Sequence, residues 1–482
     1  MVPHGHRPKQ MNRKWLAIIL AISLTGCNKG DLEIKPPPGK AVAITVNVNG
    51  NMPGHPVSPA FEGLSYETGI FGENPDFLNE NNTILIQLIK NLGPGVLRIG
   101  GDSSDEVEWT GSERNSSTPA NALTTTDIDH LAAFSKAIGW PVIFGLNLGK
   151  FNADTAAKEA IYIDKTLKSN LYVLQSGNEP DVFKLKLRTP NYVFANYLAE
   201  WNSYFLAVKK ATNGVHFAGP DVTPFNPGWV SSFTGSEHVN IHLIDSHYYA
   251  AGPASNPSIN DKNILTADPR LDSYLVQLSN ISAKYRIPYR ISECNSVFGG
   301  GKPGVSDTFA SALWALDFMW TVAENNGQGV NFHGGPARFA YTPITMNNGE
   351  VSARPEYYAM LAFKYGAVNG KVIPATIFNP RDFNNCTTHA CIYPDGSYAV
   401  TLINKDTESF AFTIQLDKTA NNILVYRLLA PDVTSTTGTS FAGSTVNADG
   451  SFNTASSEQK TINGKSFVVN VPAGSAAVVL VR

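Results

Sequence analysis

Residues 171–179 read LYVLQSGNE and lead into Pro180. A short apolar run ends in Gly177 and then in two polar residues, Asn178 and Glu179, which reads as a buried strand with polar groups at its C-terminal end. Seven other stretches have the same form: FEGLSYE (61–67), VLRIGG (96–101), PVIFGLNL (141–148), HFAGPDV (216–222), IHLIDSHYY (241–249), YRISECNS (289–296) and GVNFHGG (329–335). Their starts lie roughly 25–50 residues apart, which leaves room for a helix after each strand. Asn82–Leu92 and Thr308–Ala323 show helical periodicity in those intervals. Eight strand–helix units predict an α/β fold, a (β/α)8 TIM barrel over 55–365. The competing doubly wound sheet calls for a G-x-G-x-x-G turn after the first strand, and FEGLSYETG does not supply one.

After Tyr365 the pattern changes. IYPDGSYAVTLINKD, AFTIQLD, ILVYRLLAP and KSFVVNVPAGSAAVVLVR alternate apolar and polar residues between Gly, Asp, Asn and Pro turns. Period 2 without helices predicts a C-terminal antiparallel β-sandwich over 366–482. AVAITVNVN (41–49) alternates in the same way ahead of the barrel, so residues 41–52 are expected to supply an N-terminal strand to that sandwich.

Length and composition agree. A chain of 482 residues is long for one domain. A hydrophobic share of 43% supports a large core and excludes global disorder. The net charge of −3 gives no pull on nucleic acid, and four cysteines are too few for a disulfide scaffold.

The N-terminus predicts the compartment. Residues 11–27 read MNRKWLAIILAISLTGC: Arg13 and Lys14, then an apolar run too short to span a bilayer. Leu24-Thr25-Gly26-Cys27 resembles a bacterial lipobox, which implies a signal peptide within 1–27 and lipidation of Cys27. Met11 is a plausible start. Residues 28–40, with Pro36-Pro37-Pro38, read as a tether. The expectation is an exported monomer, lipid-anchored to a bacterial membrane at the outer membrane, cell surface or periplasm. Export permits disulfides, so Cys386 and Cys391 of CTTHAC are expected to close a small loop. Cys294 lies in a strand and reads as packing.

Chemistry in such barrels sits at the C-terminal strand ends. Those ends hold Glu67, Asp102, Asn147, Asn178-Glu179, His247-Tyr248-Tyr249, Glu293 and His333. Glu179 and Glu293 stand out because an unpaired charge inside an apolar strand is costly. On the fourth and seventh strands they can face each other across the mouth, as glycosidic cleavage requires of an acid and a carboxylate. The structural alternative pairs each with a barrel arginine, Arg98 or Arg290.

Asn178-Glu179-Pro180 on strand 4 with a glutamate on strand 7 resembles the clan A retaining glycosidases. LRIGGDSSD (97–105), LQSGNEPD (174–181), DSHYY (245–249) and SECNSVFGGGKPGVSDTFASALWALD (292–317) resemble, more narrowly, glycoside hydrolase family 79, the heparanases and β-glucuronidases. The resemblance implies Glu179 as acid/base and Glu293 as nucleophile. It implies Tyr248 as hydrogen-bond donor to the nucleophile and Asn178 as partner of the sugar 2-hydroxyl. Glu67 and Asp102 would hold hydroxyls; Gly299 and Gly300, by backbone N–H, and Tyr341 would hold the glucuronate carboxylate.

The implied activity is retaining hydrolysis of β-D-glucuronosyl linkages in a glycosaminoglycan-type polysaccharide by heparanase-like endo action, with the carboxyl groups about 5–5.5 Å apart. An exo-β-glucuronidase, another clan A glycosidase and a non-catalytic glycan-binding lipoprotein stand as alternatives. Basic clusters are not evident at 149–170, and Asp105–Asp129 has no room for a long excised linker. A cleft-closing loop would come from that stretch or from Ala250–Asp268. His242 and His247 point to opposite faces of one strand, FGGGKPG lacks the P-loop spacing, and no metal or cofactor is expected. Trp314 and Trp320 read as core.

Overall fold

A computed structural model describes residues 41–212, 214–378 and 385–482. The lipobox, Cys27 and the tether lie outside the described residues. Among the described residues no helix is long and apolar enough to cross a membrane.

Eight parallel strands close a barrel. They are β1 Gly63–Glu67, β2 Val96–Gly100, β3 Val142–Leu146, β4 Leu171–Ser176, β5 Phe217–Val222, β6 Ile241–Ala251, β7 Tyr289–Val297 and β8 Val330–Gly334. Neighbours pair in sequence order and β8 closes onto β1 through Phe332–Leu64, His333–Ser65 and Gly334–Tyr66. Between them run α1 Thr83–Leu92, α2 Thr125–Ile138, α3 Ala153–Leu167, α4 Phe194–Ala211, α5 Pro227–Glu237, α6 Leu271–Tyr285 and α7 Phe309–Glu324, with α8 Pro355–Gly366 after β8. The expected TIM barrel is therefore present.

Local chemistry explains the helices. The Asn82 side chain accepts the Leu85 N–H at the start of α1, and Gly93 follows its end with φ +87°. Leu85, Ile86, Leu88, Ile89 and Leu92 form its buried stripe. Each such side chain contributes about 1.5–3 kcal/mol when fully buried. At the closed end of the barrel Val96, Ile143, Val173, Ala218 and Leu243, one from each of β2 to β6, fill a layer. Arg290 plugs the same end, donating to the carbonyls of Ala60, Phe61 and Val330 and to Asn331 Oδ1. α7 is apolar nearly all round, with Trp314 and Trp320 buried, because it lies between the barrel and the second domain.

That second domain is a nine-stranded, largely antiparallel sheet. Val42–Val48 lies in it, antiparallel to Ala375–Phe378 and parallel to the first part of the long strand Phe410–Leu429. The second part of that strand pairs with Ser475–Val481. Register shifts at Gln415–Asn422 break the long strand's pairing with Glu458–Val471, and the two parts enclose one core of Ile44, Val46, Val400, Phe412, Ile414 and Val479. The interface with the barrel carries a buried charge cluster: Asp317 of α7 accepts from Lys405 (2.7 Å) and faces His389 (2.9 Å), which also faces Glu324 (2.8 Å).

The expected disulfide is absent. Cys386 and Cys391 are free thiols at opposite parts of one strand, Cys386–Ile392, paired without interruption to Tyr398–Asn404. Five residues of extended chain separate their Cα atoms by roughly 16 Å, and odd spacing sends the side chains to opposite faces. A disulfide needs Cα atoms roughly 5.5–6 Å apart. Cys294 is buried, as packing requires.

Candidate active site

A cavity of about 770 Å³ opens at the C-terminal ends of the barrel strands. Glu67, Asp102, Glu179, Tyr249, Glu293, Gly299, Gly300, His333 and Tyr341 line it. Glu179 follows β4 in a left-handed conformation, φ +51°, unusual for a residue with a Cβ. Two neighbours hold it there. Its N–H donates to Asp221 O (2.8 Å), and the buried Asp105 accepts the N–H groups of Asn178 (2.8 Å), Leu148 and Gly149 (2.9 Å each), which ties the ends of β3 and β4 together.

Glu293 projects from β7, where a bulge between Ile291 and Glu293 shifts the register against β6. Its Oε2 accepts from Arg98 Nη1 (2.8 Å) and its Oε1 from Tyr249 Oη (2.7 Å). Arg98, on β2, is fully buried and spends every N–H. Beyond Glu293, its acceptors are Asp221 Oδ2 (2.6 Å), Asn178 Oδ1 (2.9 Å), Gln175 Oε1 (3.0 Å) and Ser65 Oγ (3.0 Å). His247 is buried between two carboxylates, Nδ1 2.9 Å from Glu179 Oε1 and Nε2 2.9 Å from Asp221 Oδ1. Asp221 also accepts from Gln175 and Ser292.

The two glutamates are pushed in opposite directions. Burial would raise Glu293, but the positive His333, His247 and Arg98 and the Tyr249 hydrogen bond outweigh it and hold the carboxyl far below its ordinary range. Glu179 is raised, chiefly by burial and further by the negative Glu293 and Asp102, while the His247 contact opposes the rise. Burial also works against a charge on His247, yet Asp221 and Glu293 raise it well above its ordinary value. An imidazolium then donates to Glu179 Oε1, while Oε2 has no hydrogen-bond partner among the described residues.

One oxygen of Glu179, one of Glu293 and a ring nitrogen of His247 all lie within 4.8 Å of one another. The two carboxyl groups therefore face each other across a short gap at the mouth of the cavity. The same trio has the residue types of a metal site, but both nitrogens of His247 already face carboxylates, Glu179 on one side and Asp221 on the other.

The remaining residues fall into two groups. Glu67 accepts from Ser103 N (2.8 Å) and Ser103 Oγ and lies 3.4 Å from His333 Nε2. Burial would raise it, and His333 and Ser103 bring it below its ordinary value. Asp102 is exposed at the mouth and accepts from Asn178 Nδ2 (3.2 Å) and Lys186 (3.3 Å). Asn178 itself is buried, its amide shared between Arg98 and Asp102.

Gly299, Gly300 and Gly301 all have φ between +81° and +89°. A Cβ on Gly301 would come within 2.5 Å of Tyr341 N, so glycine lets this turn press against the Tyr341 segment. Among the described residues no acceptor takes the N–H of Gly299 or Gly300. Ala250–Gly252, but no part of Asp105–Asp129, lines the cavity.

One expectation is corrected. Tyr248 does not reach Glu293: it donates to Asp268 (3.4 Å) and stacks on Phe318 of α7. Tyr249 is the donor. Successive strand residues alternate faces, so the face that turns His247 inward also turns Tyr249 inward and sends Tyr248 out. Asp221 is a further member that reading strand ends does not single out, and the structure adds to it His247, from the strand-6 end, and Arg98, the expected barrel partner of a glutamate. His333, at a strand end, lines the cleft.

No family model matches the chain. A β-glucuronidase of Neurospora crassa is 25% identical over 373 residues, 66% of this chain and 65% of that protein. A β-glucuronidase of Aspergillus niger is 24% identical over 460 residues, 80% and 83% of the two chains. Heparanase of Bos taurus is 23% identical over 73% of this chain and 75% of its own. In sequence the chain is thus similar, at low identity, to β-glucuronidases and heparanases, which are glycoside hydrolases. Solved structures show the fold relatives of this chain. A 4-O-α-L-rhamnosyl-β-D-glucuronidase of Fusarium oxysporum superposes with TM-score 0.72 at 19% identity, covering 90% of this chain and 99% of that one. A GH51 arabinofuranosidase of Xanthomonas axonopodis reaches 0.68 at 15%, covering 92% and 100%.

Proposed function

We propose that this chain hydrolyses β-D-glucuronosyl linkages of glycosaminoglycan-type polysaccharides such as heparan sulfate or heparosan, with retention and by heparanase-like endo action. One observation carries the reading: two facing carboxyl groups, Glu293 held below and Glu179 above its ordinary range by their surroundings, next to a turn where, among the described residues, the N–H groups of Gly299 and Gly300 have no acceptor. The ionised Glu293 attacks the anomeric carbon while Glu179 Oε2 passes its proton to the leaving oxygen. The bond to the departing sugar breaks as the ester to Glu293 forms. Glu179, now a carboxylate, takes a proton from water, which opens the ester and regenerates both groups. His247 keeps Oε1 of Glu179 fixed through both steps.

Gly299 and Gly300 supply N–H dipoles to the glucuronate carboxylate without a basic side chain, and Tyr341 supplies its hydroxyl. Glu67 and Asp102 face the ring hydroxyls. The family relatives that act on glucuronides, by their names, support this sugar.

Digestion of heparosan or heparan sulfate by the soluble domain is the test. Early loss of chain length with oligosaccharide products is the expected result, and an NMR time course should show β-glucuronic acid configuration first. Free glucuronic acid with polymer length unchanged would convert the reading to an exo-β-glucuronidase on oligosaccharide ends or small glucuronides. Cleavage of neutral pentosides alone would reject it.

We further propose export and membrane anchoring through a lipid on Cys27, supported by the Leu24–Cys27 sequence, and a monomeric soluble part, which light scattering is expected to show. Labelled palmitate is expected to enter the wild-type chain in a bacterial host and not Cys27→Ser. Equal labelling of the two would remove the anchor.

A further inference from the structure

The groups assigned to the glucuronate ring occupy one arc of the mouth, after β7, β8, β1 and β2. The other arc, after β5 and β6, lines the same cavity with Thr223, Pro224, Phe225 and Arg270. Glu179 belongs to this second arc. Asp181, two residues beyond it, accepts from Thr223 N (3.1 Å) and Asn226 Nδ2 (2.8 Å), so the proton donor and the Thr223–Phe225 wall form one unit. The group that receives the proton therefore departs over this wall.

Arg270 is the cation of the wall. Its guanidinium lies 4.2 Å above the centre of the Phe225 ring. One edge is fixed: Nε and Nη2 donate to Asp268 Oδ1 and Oδ2, both at 2.9 Å, and Tyr248 Oη donates to Asp268 from behind. Among the described residues nothing accepts from Nη1, and the side chain is 62% exposed. A guanidinium set over a ring, fixed by one carboxylate and left with an N–H without a protein acceptor in a residue that lines the cavity, is a preorganised donor for an oxyanion. A loop staple would need only the Asp268 contact. Arg338, which also lines the cavity, lies on the glycone arc and pairs with Glu73 (2.8 Å).

We propose that Arg270 is a specificity residue on the leaving-group side, receiving an anionic substituent, sulfate or carboxylate, of the sugar that departs. This rests on the glucuronidase reading above and adds to it a preference for acidic leaving residues.

The test compares glucuronosyl oligosaccharides whose departing glucosamine is N-sulfated or N-acetylated, and aryl glucuronides with or without a carboxylate on the ring. Wild type is expected to favour the anionic member of each pair. Arg270→Gln should lower the sulfated-to-acetylated ratio of kcat/KM roughly 10- to 100-fold. Arg270→Lys should restore part of it, since a point charge replaces a fork. An equal change in the aryl pair assigns the site to anions in general, and a change in the sulfated pair alone assigns it to sulfate. An unchanged ratio in Arg270→Gln, with wild type cleaving both substrates, overturns the subsite and leaves the glucuronidase reading standing. Wild type inactive on every β-glucuronide overturns that reading instead.

Discussion

Glu293→Gln is expected to lower kcat on β-glucuronides by on the order of 10⁴-fold or more, because no other group can form the glycosyl ester. Glu179→Ala is expected to behave differently. It should cost on the order of 10²–10⁴-fold with sugar leaving groups, which need the proton, and far less with an activated aryl leaving group. Azide separates the roles. It should accelerate Glu179→Ala and give the β-glucuronosyl azide, since it replaces the water that opens the ester. With Glu293→Ala it should attack directly and give the α-azide.

The pH profile follows from the same pair. The acid works only while protonated, so wild-type activity should fall as pH rises through the raised pKa of Glu179. Glu179→Ala, assayed on an aryl substrate, should lose that alkaline limb. The acid limb should lie low, because Glu293 stays ionised well below the ordinary carboxylate range. Two variants with the same loss on every leaving group, or an unchanged alkaline limb in Glu179→Ala, would reverse or remove the assignment.

Arg98→Met is expected to be the most damaging change away from the carboxyl pair. Arg98 has no exposed surface and donates to five side chains on four other barrel strands or their ends. Removing it leaves Asp221 and Glu293 buried with His247 and His333 as the remaining positive neighbours. Breaking a buried ion pair by removing one partner costs about 3–5 kcal/mol, since the surviving charge keeps its desolvation penalty. Denaturant unfolding should show a loss of that size. Arg98→Lys keeps the charge but cannot reach five acceptors, so it should fold better and still be slow. Its acid limb should move to higher pH, because Glu293 loses one of the groups that hold its pKa down. An Arg98→Lys enzyme with wild-type rate and acid limb would show that Arg98 is structural only.

The buried arginine also shows that structure and catalysis are not exclusive here. Pairing of Glu293 with Arg98 is what a purely structural glutamate would display, yet the same pairing keeps Glu293 ionised in a buried site, as the proposed nucleophile must be. The short distance to Glu179 and the open cavity distinguish the two cases.

What the sequence by itself determined is local in character. Eight apolar runs with polar ends, spaced by helix-length intervals, require a barrel with its polar groups at one end, since each strand's burial and exit are written in its own residues. The two glutamates were legible for the same reason, each a charge in an apolar run or at its end, Glu293 within β7 and Glu179 just after β4. The alternating stretch at 41–49 was equally plain, and Val42–Val48 lies in the second sheet.

Only the tertiary structure decided what converges. Strand parity, and not the order of letters in DSHYY, chose Tyr249 over Tyr248. A continuous ladder along Cys386–Ile392 held its two cysteines apart, although five residues in a loop would have let them meet. Arg98, Asp221, His247 and Glu293 come from β2, β5, β6 and β7 and carry no common motif. Their protonation states exist only because barrel closure buries them together, where each charge is set by neighbours up to 195 residues away.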